Sequence, residues 1–262
     1  MSSKNNKIKL IFKNENFDNF SKKLVNLTKI SDSIRIKIDN ENIMLYSVLG
    51  SSAILAFKNY VFNTRDYLLL NDDLDFSLDI IIINTKKFVK NLSFLKSEDN
   101  IEMNVTYKNS QDDDNNKIAR AIQLISGKLK INWITGEHYE VRDIKKSLLD
   151  KTLDIKTQKW EFKINKDDFQ DIKKLSTINS DKIIHIEILN NQVIMHETSA
   201  WEMQVDEIDD NGDNSSIILN KRFLSSINNE DDDVIFHVFQ NFMLFKTDDS
   251  NLMLSFEQSF ED

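Results

Sequence analysis

The chain has 262 residues, of which 40% are apolar, and this is enough to fill the core of one large domain or two of ordinary size. Its net charge of −9 argues against a protein that coats nucleic acid over its whole surface, because an evenly acidic surface repels phosphate. The absence of cysteine excludes disulfides and thiolate chemistry, and the four histidines show no metal-ligand spacing. The first residues, MSSKNNKIKL, lack the apolar centre of a signal peptide, and no apolar run is long enough to cross a membrane. We therefore expect a cytoplasmic protein.

The first predicted elements form one strand, one helix and three further strands. A strand over residues 7–12 precedes an amphipathic helix over 16–30, which has its phenylalanines and leucines on one face and lysines on the other. Strands are then predicted at 34–38, 43–48 and 53–57, the last with a possible continuation through 61–62. Residues 63–74 are expected to form a polar connection.

The stretch 79–96, DIIIINTKKFVKNLSFLK, shows the pattern most clearly. Its four isoleucines have the β-branched density of a buried strand, and Asn84 is expected to cap a helix over 84–97 with its side-chain oxygen. On that helix Phe88 lies on the apolar face, almost opposite Lys86 and Lys90. Strands follow at 101–107, 118–125 and 128–134, around a polar loop at 109–117 that we expect to be mobile.

Between about residues 136 and 158 the apolar pattern breaks, and we place a domain boundary there, giving domains 1–146 and 147–262. The second half repeats the scheme, with strands predicted at 160–164, 183–189, 192–197, 201–205, 216–219, 234–239, 242–246 and 252–256, and helices at 165–179 and 220–229. The same join of strand, asparagine and phenylalanine recurs before each helix, with Phe17, Phe88, Phe169 and Phe223 as expected core residues. The sequence therefore predicts an α+β fold of four β-α-β-β-β units in two pairs.

The positive charge is concentrated on the predicted helices. Their net charges are +2, +4, 0 and +2, so the rest of the chain carries −17. On the third helix the acids lie in the first turn, where they interact favourably with the helix dipole. The description of the chain as an acidic protein with basic helix faces is therefore more specific than its net charge alone.

With these elements in place, the sequence resembles a DNA sliding clamp, the processivity factor of replicative DNA polymerases, and is most similar to the tailed-bacteriophage type. The resemblance covers nearly the whole chain and is densest in WEFKINKDDFQDIKKLSTINSDKIIHIEILNNQVIMHET, residues 160–198. It implies the DNA clamp fold, with two similar domains and with helices on one face of antiparallel sheets. Family rings contain six such domains, which implies a homotrimer here. The acidic insertion at 109–117 and the length of the 136–158 connector depart from a minimal clamp.

The resemblance also implies a function. The protein would be a non-enzymatic ring without a cofactor that encircles double-stranded DNA, is opened by an ATP-dependent clamp loader and tethers the replicative polymerase, in the host cytoplasm if a phage encodes it. Lysine suits this task, because it is a flexible point charge without the fork that reads bases. The residues implied to face DNA are Lys22, Lys23, Lys29, Lys86, Lys87, Lys90, Lys166, Lys173, Lys174, Lys221 and Arg222. A pocket for partner peptides is implied near Val141, Ile144, Phe256 and Phe260.

Three other interpretations stay open at this point. Any one basic helix face is most simply a solvated surface. A structural β-rich assembly protein, such as a virion component, would also use repeated units. An enzyme has little support, because residues 206–214 fail as a calcium loop where Ile218 occupies the position of the essential glutamate, and Gly127 lacks the earlier glycine of a phosphate loop.

Overall fold

The computed structural model describes residues 6–50, 55–70, 74–95, 100–110, 115–144, 156, 158–179, 181–198, 200–208, 215–227, 233–247 and 250–259. Within these ranges the chain forms two compact units. The first comprises the described residues of 1–48 and 58–143, and the second those of 49–57 and 144–262. No helix in the described ranges is both long and apolar enough to cross a membrane.

The first unit is built on one twisted sheet with two principal helices. Its strands are β1 (Asn6–Phe12), β2 (Ser33–Ile38), β3 (Asn42–Leu49), β4 (Ala56–Asn63), β5 (Leu68–Leu69), β6 (Ser77–Ile83), β7 (Ile101–Asn109), β8 (Asn116–Ser126) and β9 (Leu129–Ile134). They are ordered β4-β3-β2-β6-β8-β7-β1-β5, and β9 is added to β8. The pairs that β2, β7 and β9 make with their neighbours are antiparallel, whereas β6 and β8 pair in parallel over three residues. The expected antiparallel sheet therefore contains one parallel join.

Helices α1 (Asn14–Leu27) and α3 (Thr85–Leu92) bury their apolar sides in the core of this unit. Phe17 of α1 packs 5.7 Å from Phe12 of β1, ring centre to ring centre, and Phe88 of α3 lies 5.2 Å from Trp133 of β9. Both helices are shorter than the sequence predicts, because the segments after Leu27 and Leu92 continue as turns. The predicted core role of Phe17 and Phe88 is confirmed, since both are at most 3% exposed.

The polar connection predicted at 63–74 is wrong in part. Residues Thr64–Tyr67 form the short helix α2, and β5 pairs antiparallel with β1. Asn63 caps α2 by accepting a hydrogen bond from the Arg65 amide at 2.9 Å, and Tyr67 packs 4.6 Å from Phe62. The tyrosine buried by this turn was hidden among polar neighbours in the sequence.

A buried ion pair anchors the chain that follows β9. In β2, Ile34 and Ile36 join the core below the helices, so Arg35 lies on the opposite face of the sheet. Its guanidinium forms a bidentate pair with Asp79 of β6 and donates to the Val141 carbonyl at 2.9 Å. Burial alone would lower the pKa of Arg35, but the hydrogen bond and charge of Asp79 raise it. The start of the connector is therefore held on the sheet.

Asp143 adds a second anchor to the same connector. Lys37 donates to its carboxylate, and the Tyr46 hydroxyl lies 3.3 Å from the same oxygen. Burial alone would raise the pKa of Asp143, but the hydrogen bond from Lys37 and the nearby charge of Arg35 lower it. Upstream, the Gly136 amide donates to the Ile81 carbonyl at 2.9 Å.

The second unit repeats this architecture with two groups of strands. One contains β10 (Trp160–Ile164), β15 (Val234–Val238), β16 (Phe242–Lys246) and β17 (Ser250–Ser255), and the other contains β11 (Ile183–Leu189), β12 (Gln192–Glu197), β13 (Trp201–Glu207), β14 (Ser215–Asn220) and β18 (Glu257–Ser259). Their orders are β10-β15-β16-β17 and β13-β12-β11-β14-β18. Phe169 of helix α4 (Lys166–Ile178) is fully buried and lies 6.4 Å from Phe236 of β15.

Two elements of the second unit differ from the sequence-based expectation. The helix predicted at 220–229 is a 3₁₀ helix over Lys221–Ser226, which still buries Phe223. The presence of two serines is consistent with this short length. Their hydroxyls donate to backbone carbonyls three residues back and compete with the backbone hydrogen bonds of a longer α-helix. After β17, residues 257–259 form strand β18 on β14, where the sequence indicated only a tail.

Candidate DNA-facing surface and partner pocket

The helical elements of each unit lie side by side. Helix α1 contacts α3 in the first unit, and α4 contacts the 3₁₀ helix in the second. Each pair covers the core with one side and leaves its other side at the surface. Most of the basic residues that are implied to face DNA therefore lie on paired helices, with one pair in each unit.

Reciprocal hydrogen bonds fix the two helices of the first unit. The Asn14 amide at the start of α1 donates to the Asn100 side chain at 3.1 Å, and Asn100 directly precedes β7. The Lys86 amide in the first turn of α3 donates to the Asp32 carboxylate at 3.4 Å, and Asp32 directly precedes β2. Each helix is thus capped from the other half of the unit. The residue that caps α1 precedes the strand after α3, and the residue that caps α3 precedes the strand after α1.

This arrangement corrects one sequence-based expectation. Asn84 does not cap α3, because its backbone is left-handed, with φ 53° and ψ 48°, and its side chain makes no cap hydrogen bond. Asp32, more than fifty residues earlier, takes that part. By contrast, Asn165 and Asn220 do accept amide hydrogen bonds at the starts of α4 and the 3₁₀ helix, as the sequence indicates.

The second unit shows the same reciprocity. The Lys166 amide at the start of α4 donates to the Asp233 carboxylate at 3.0 Å, and Asp233 directly precedes β15. The Lys221 amide donates to the Lys182 carbonyl at 3.0 Å, and Lys182 directly precedes β11. Sequence reasoning missed these capping residues. An aspartate or asparagine directly before a strand in three of the four repeats is a signal that aligning the repeats could have found, whereas Lys182 acts through its backbone carbonyl, which any residue supplies.

The first unit exposes its implied DNA-facing lysines. Lys22, Lys86, Lys87 and Lys90 are exposed and have no hydrogen-bond or ion-pair partner for their ammonium groups among the residues that the structure describes. Lys23 is half-buried, with its ammonium 4.7 Å from the centre of the Tyr60 ring. The backbone of Lys29 lies in the turn after α1, and burial lowers the pKa of its side chain.

Several basic side chains of the second unit form hydrogen bonds or ion pairs within that unit. The Lys173 ammonium donates to the Ile227 carbonyl at 2.7 Å. Lys174 pairs with Asp171 at 2.7 Å on the surface of α4. Lys166, at the first position of that helix, is half-buried.

Lys221 and Arg222 differ from each other although they are neighbours. The Lys221 side chain is only 15% exposed, and its ammonium donates to the Asn179 carbonyl at 2.8 Å and to the buried Glu197 carboxylate at 3.3 Å. Arg222 is exposed, with its guanidinium 4.7 Å from the centre of the Phe223 ring. The structure thus gives Lys221 a role in holding the second unit together and leaves Arg222 at the surface.

The charge remains unevenly distributed over the observed elements. With the bounds in the structure, α1, α3, α4 and the 3₁₀ helix carry net charges of 0, +3, 0 and +2, which leaves −14 for the rest of the chain. A polyanion approaching the helices would meet a locally neutral to basic surface on an otherwise acidic protein.

An apolar pocket lies within the second unit. It has a volume of about 450 Å³ and is lined by Leu49, Leu55, Ile183, Ile218, Asn220, Arg222, Phe223, Ser255 and Phe256. Of the four residues implied for a partner pocket, Phe256 is on its wall, whereas Val141 and Ile144 are buried and at most 4% exposed. Phe260 lies outside the described residues. The other wall residues come from four separate segments, so no local sequence pattern marks them.

A second cavity, of about 750 Å³, lies between α4 and the 3₁₀ helix. Its lining includes Lys173, Asp181, Lys182, Lys221 and Arg222, together with serine and threonine hydroxyls. Within the described part of the chain, no group of three histidine, aspartate or glutamate side chains is placed to hold a metal ion.

Comparison of the structure with solved structures places the fold in a known class. The DNA polymerase III β chain of Streptococcus pneumoniae matches with a TM-score of 0.63 at 14% identity, over 97% of this chain and 66% of that chain. The Helicobacter pylori β clamp bound to a DNA ligase peptide matches with a TM-score of 0.62 at 13% identity, over 97% of this chain and 68% of that one. The chain therefore has the fold of DNA sliding clamps.

The agreement in length differs between these structures. PCNA from Thermococcus kodakaraensis matches with a TM-score of 0.59 at 12% identity, over 95% of this chain and 99% of that chain. The present chain thus spans about two thirds of the bacterial β chains and nearly the whole of PCNA. No protein-family model and no curated protein sequence matches the chain.

Proposed function

We propose that this protein is a sliding clamp, which encircles double-stranded DNA as a ring and tethers a replicative DNA polymerase without itself catalysing a reaction. The observation that supports this most is the combination of the clamp fold with basic helix faces on an acidic protein. A ring that holds DNA by topology needs only weak, exchanging phosphate contacts, and exposed lysines supply those without reading sequence. The acidic remainder disfavours DNA binding elsewhere.

Two open strand edges suit closure into a ring. In the first unit β9 pairs only with β8, and in the second unit β13 pairs only with β12, among the described strands. The turn before β9 and β9 itself carry Lys128 and Lys130, while β13 carries Glu202 and Glu207. Antiparallel or parallel addition of the β9 edge of one copy to the β13 edge of the next would satisfy the free backbone groups of both. Opposite charges would favour this head-to-tail pairing over like edges meeting.

We infer a homotrimer from the same arrangement. The protomer has two clamp domains, 1–146 and 147–262 by the sequence division, and a ring of six domains needs three copies. Heterologous contacts that close after three copies leave neither the β9 edge nor the β13 edge unpaired, whereas contacts that fail to close would produce filaments. An ATP-dependent loader would then open one of these interfaces, in the cytoplasm of a host cell if the protein belongs to a bacteriophage.

The apolar pocket is the proposed docking site for the polymerase and the loader. The Helicobacter pylori structure shows a clamp holding a DNA ligase peptide. A pocket of about 450 Å³ walled by leucine, isoleucine and phenylalanine can bury one or two large apolar side chains of a peptide.

The proposal is tested by cross-linking across the two edges. Because the chain has no cysteine, one cysteine on each edge, at Asn132 of β9 and Gln204 of β13, gives a clean pair of reactive sites. With a short bis-maleimide, the double variant should form covalent species that end at three chains, about three times 30.7 kDa. Each single variant is the matched control, because head-to-tail linkage needs both cysteines.

The cross-linked species should then show topological binding to DNA. After cross-linking on a nicked circular plasmid, we expect the ring to remain on the circle at a salt concentration that removes ordinary phosphate contacts, and to leave once the plasmid is cut. Chains that never cross-link, or rings released equally from circular and linear DNA, would contradict the proposal. Long linear or tubular polymers would favour the structural assembly protein instead.

A further inference from the structure

The two units differ in how many of the basic side chains on their helices are bonded within the protein, although their folds correspond and the net charges of their helices are similar. In the first unit, α3 contains three lysines and no acid, and the later turns of α1 add Lys22 and Lys23. The two acids of α1, Glu15 and Asp18, lie within its first five residues. Asp18 lies four residues before Lys22 and partly offsets its charge, whereas the three lysines of α3 have no acid on their own helix.

In the second unit, the corresponding lysines are occupied. Helix α4 has as many acids as lysines, and Lys174 already pairs with Asp171. The ammonium groups of Lys173 and Lys221 donate to backbone carbonyls at 2.7 and 2.8 Å. Arg222 is the exposed cation of the 3₁₀ helix, and Lys182, which lines the same cavity, is exposed as well.

This difference changes what each lysine can give to a phosphate. A freely rotating ammonium in water exchanges hydration for a phosphate contact at little cost, whereas a bonded one must first give up its internal hydrogen bond. For Lys221 that loss would also leave the Glu197 carboxylate buried without its partner, which is strongly unfavourable. The three acids of α4 additionally repel the DNA backbone.

We propose that contact with the DNA backbone is concentrated on the α1–α3 surface of the first unit, defined by Lys22, Lys86, Lys87 and Lys90, and that the second unit contributes little beyond Arg222 and Lys182. This rests on the proposed function as a clamp. In a ring of three copies, three arcs with unbonded lysines would then alternate with three arcs whose lysines are mostly bonded within the protein. The duplex would be attracted to the first units and pass the second units with few phosphate contacts.

The experiment compares two triple variants of the full chain with equal loss of charge. One is Lys86→Gln, Lys87→Gln and Lys90→Gln on α3, and the matched control is Lys166→Gln, Lys173→Gln and Lys174→Gln on α4. Binding to a short fluorescent duplex is measured by anisotropy over a range of salt concentrations. Circular dichroism and light scattering establish that each variant keeps its fold and its mass. If the α4 triple variant is unstable, Lys174→Gln is compared with Lys90→Gln.

The expected result is a difference in the slope of log affinity against log salt. Each lost phosphate contact removes about 0.9 from that slope, so the α3 variant should lose about 2 to 3 and the α4 variant less than about 1. At about 50 mM salt, this corresponds to an affinity loss of tenfold or more for the α3 variant. For the single pair, Lys90→Gln should lose about one contact and Lys174→Gln distinctly less.

The possible failures are distinguishable. Equal losses for the two variants, or a larger loss for the α4 variant, would overturn the uneven distribution while leaving the clamp function intact. Measurable duplex binding that neither variant weakens would show that DNA binds another surface, which would overturn both this inference and the DNA-facing role of the helices.

Discussion

Breaking the buried pair of Arg35 and Asp79 should destabilise the first unit severely. The two side chains are at most 4% exposed, and the guanidinium also donates to the Val141 carbonyl at 2.9 Å. Asp79→Leu would leave the arginine charge buried without its carboxylate, and losses of this kind are about 3–5 kcal/mol. For a chain of this size that corresponds to a fall in Tm on the order of 10 °C. Urea unfolding followed by circular dichroism gives the free energy directly.

The reasoning is tested by a double variant and a surface control. Arg35→Met with Asp79→Leu removes both charges, so it should recover a large part of the loss even though the bond to the connector is gone. Glu102→Gln weakens an exposed pair with Lys9, 2.6 Å apart, and should cost less than about 1 kcal/mol. A single Asp79→Leu variant as stable as the surface control would refute the argument, as would a double variant less stable than the single one.

Four further outcomes follow from the same structure. The basic neighbours of Asp143 hold its pKa below the usual range despite burial. Its contribution to stability is therefore present above about pH 4 and is lost as the pH falls through the lowered pKa. The Asp143→Asn variant should lose less stability than the unchanged protein in an acid titration followed by fluorescence. Asn165→Ala should cost about 1 kcal/mol in urea unfolding, because its side chain accepts the Asp168 amide at the start of α4. Asn84→Gly should not destabilise, because glycine adopts the observed φ of 53° without strain; a loss as large as that of Asn165→Ala would contradict the left-handed geometry. Gly136→Ala should be destabilising by about 1–3 kcal/mol, since an added Cβ would lie 2.7 Å from the Ile83 side chain; a variant with unchanged Tm would show that this contact can relax.

The hydrophobic periodicity of the sequence predicted most of the helices and strands. The strand–helix joins could be found because Phe17, Phe88, Phe169 and Phe223 recur at the same place in each repeat, and all four are buried. Where the prediction failed, tertiary contacts decided the local structure. Strand β5, directly after α2, exists because Leu68 and Leu69 pair with β1 more than fifty residues earlier, and such a pairing leaves no periodic mark in the sequence.

The sequence predicted which basic residues lie on the helical elements, but not which of their side chains are bonded within the protein. The lysines of α3 and α4 look alike on a helical wheel, yet only those of α3 are unbonded among the described residues. Lys221 meets Glu197 and the Asn179 carbonyl, which are 24 and 42 residues away in the chain. Sequence separation of this size hides the bond, so sequence reasoning counted Lys221 with the exposed cations.

The reciprocal caps make the two halves of each unit depend on each other. Since Asp32 holds the start of α3 and Asn100 holds the start of α1, neither half of the first unit can complete its own helix alone. The same holds for Asp233 and the Lys182 carbonyl in the second unit. A single β-α-β-β-β repeat expressed by itself would therefore have a frayed helix as well as an uncovered core. We expect the smallest part of this chain that unfolds and refolds as a cooperative whole to be a pair of repeats, so insertions into and exchanges between proteins of this fold should preserve the pair.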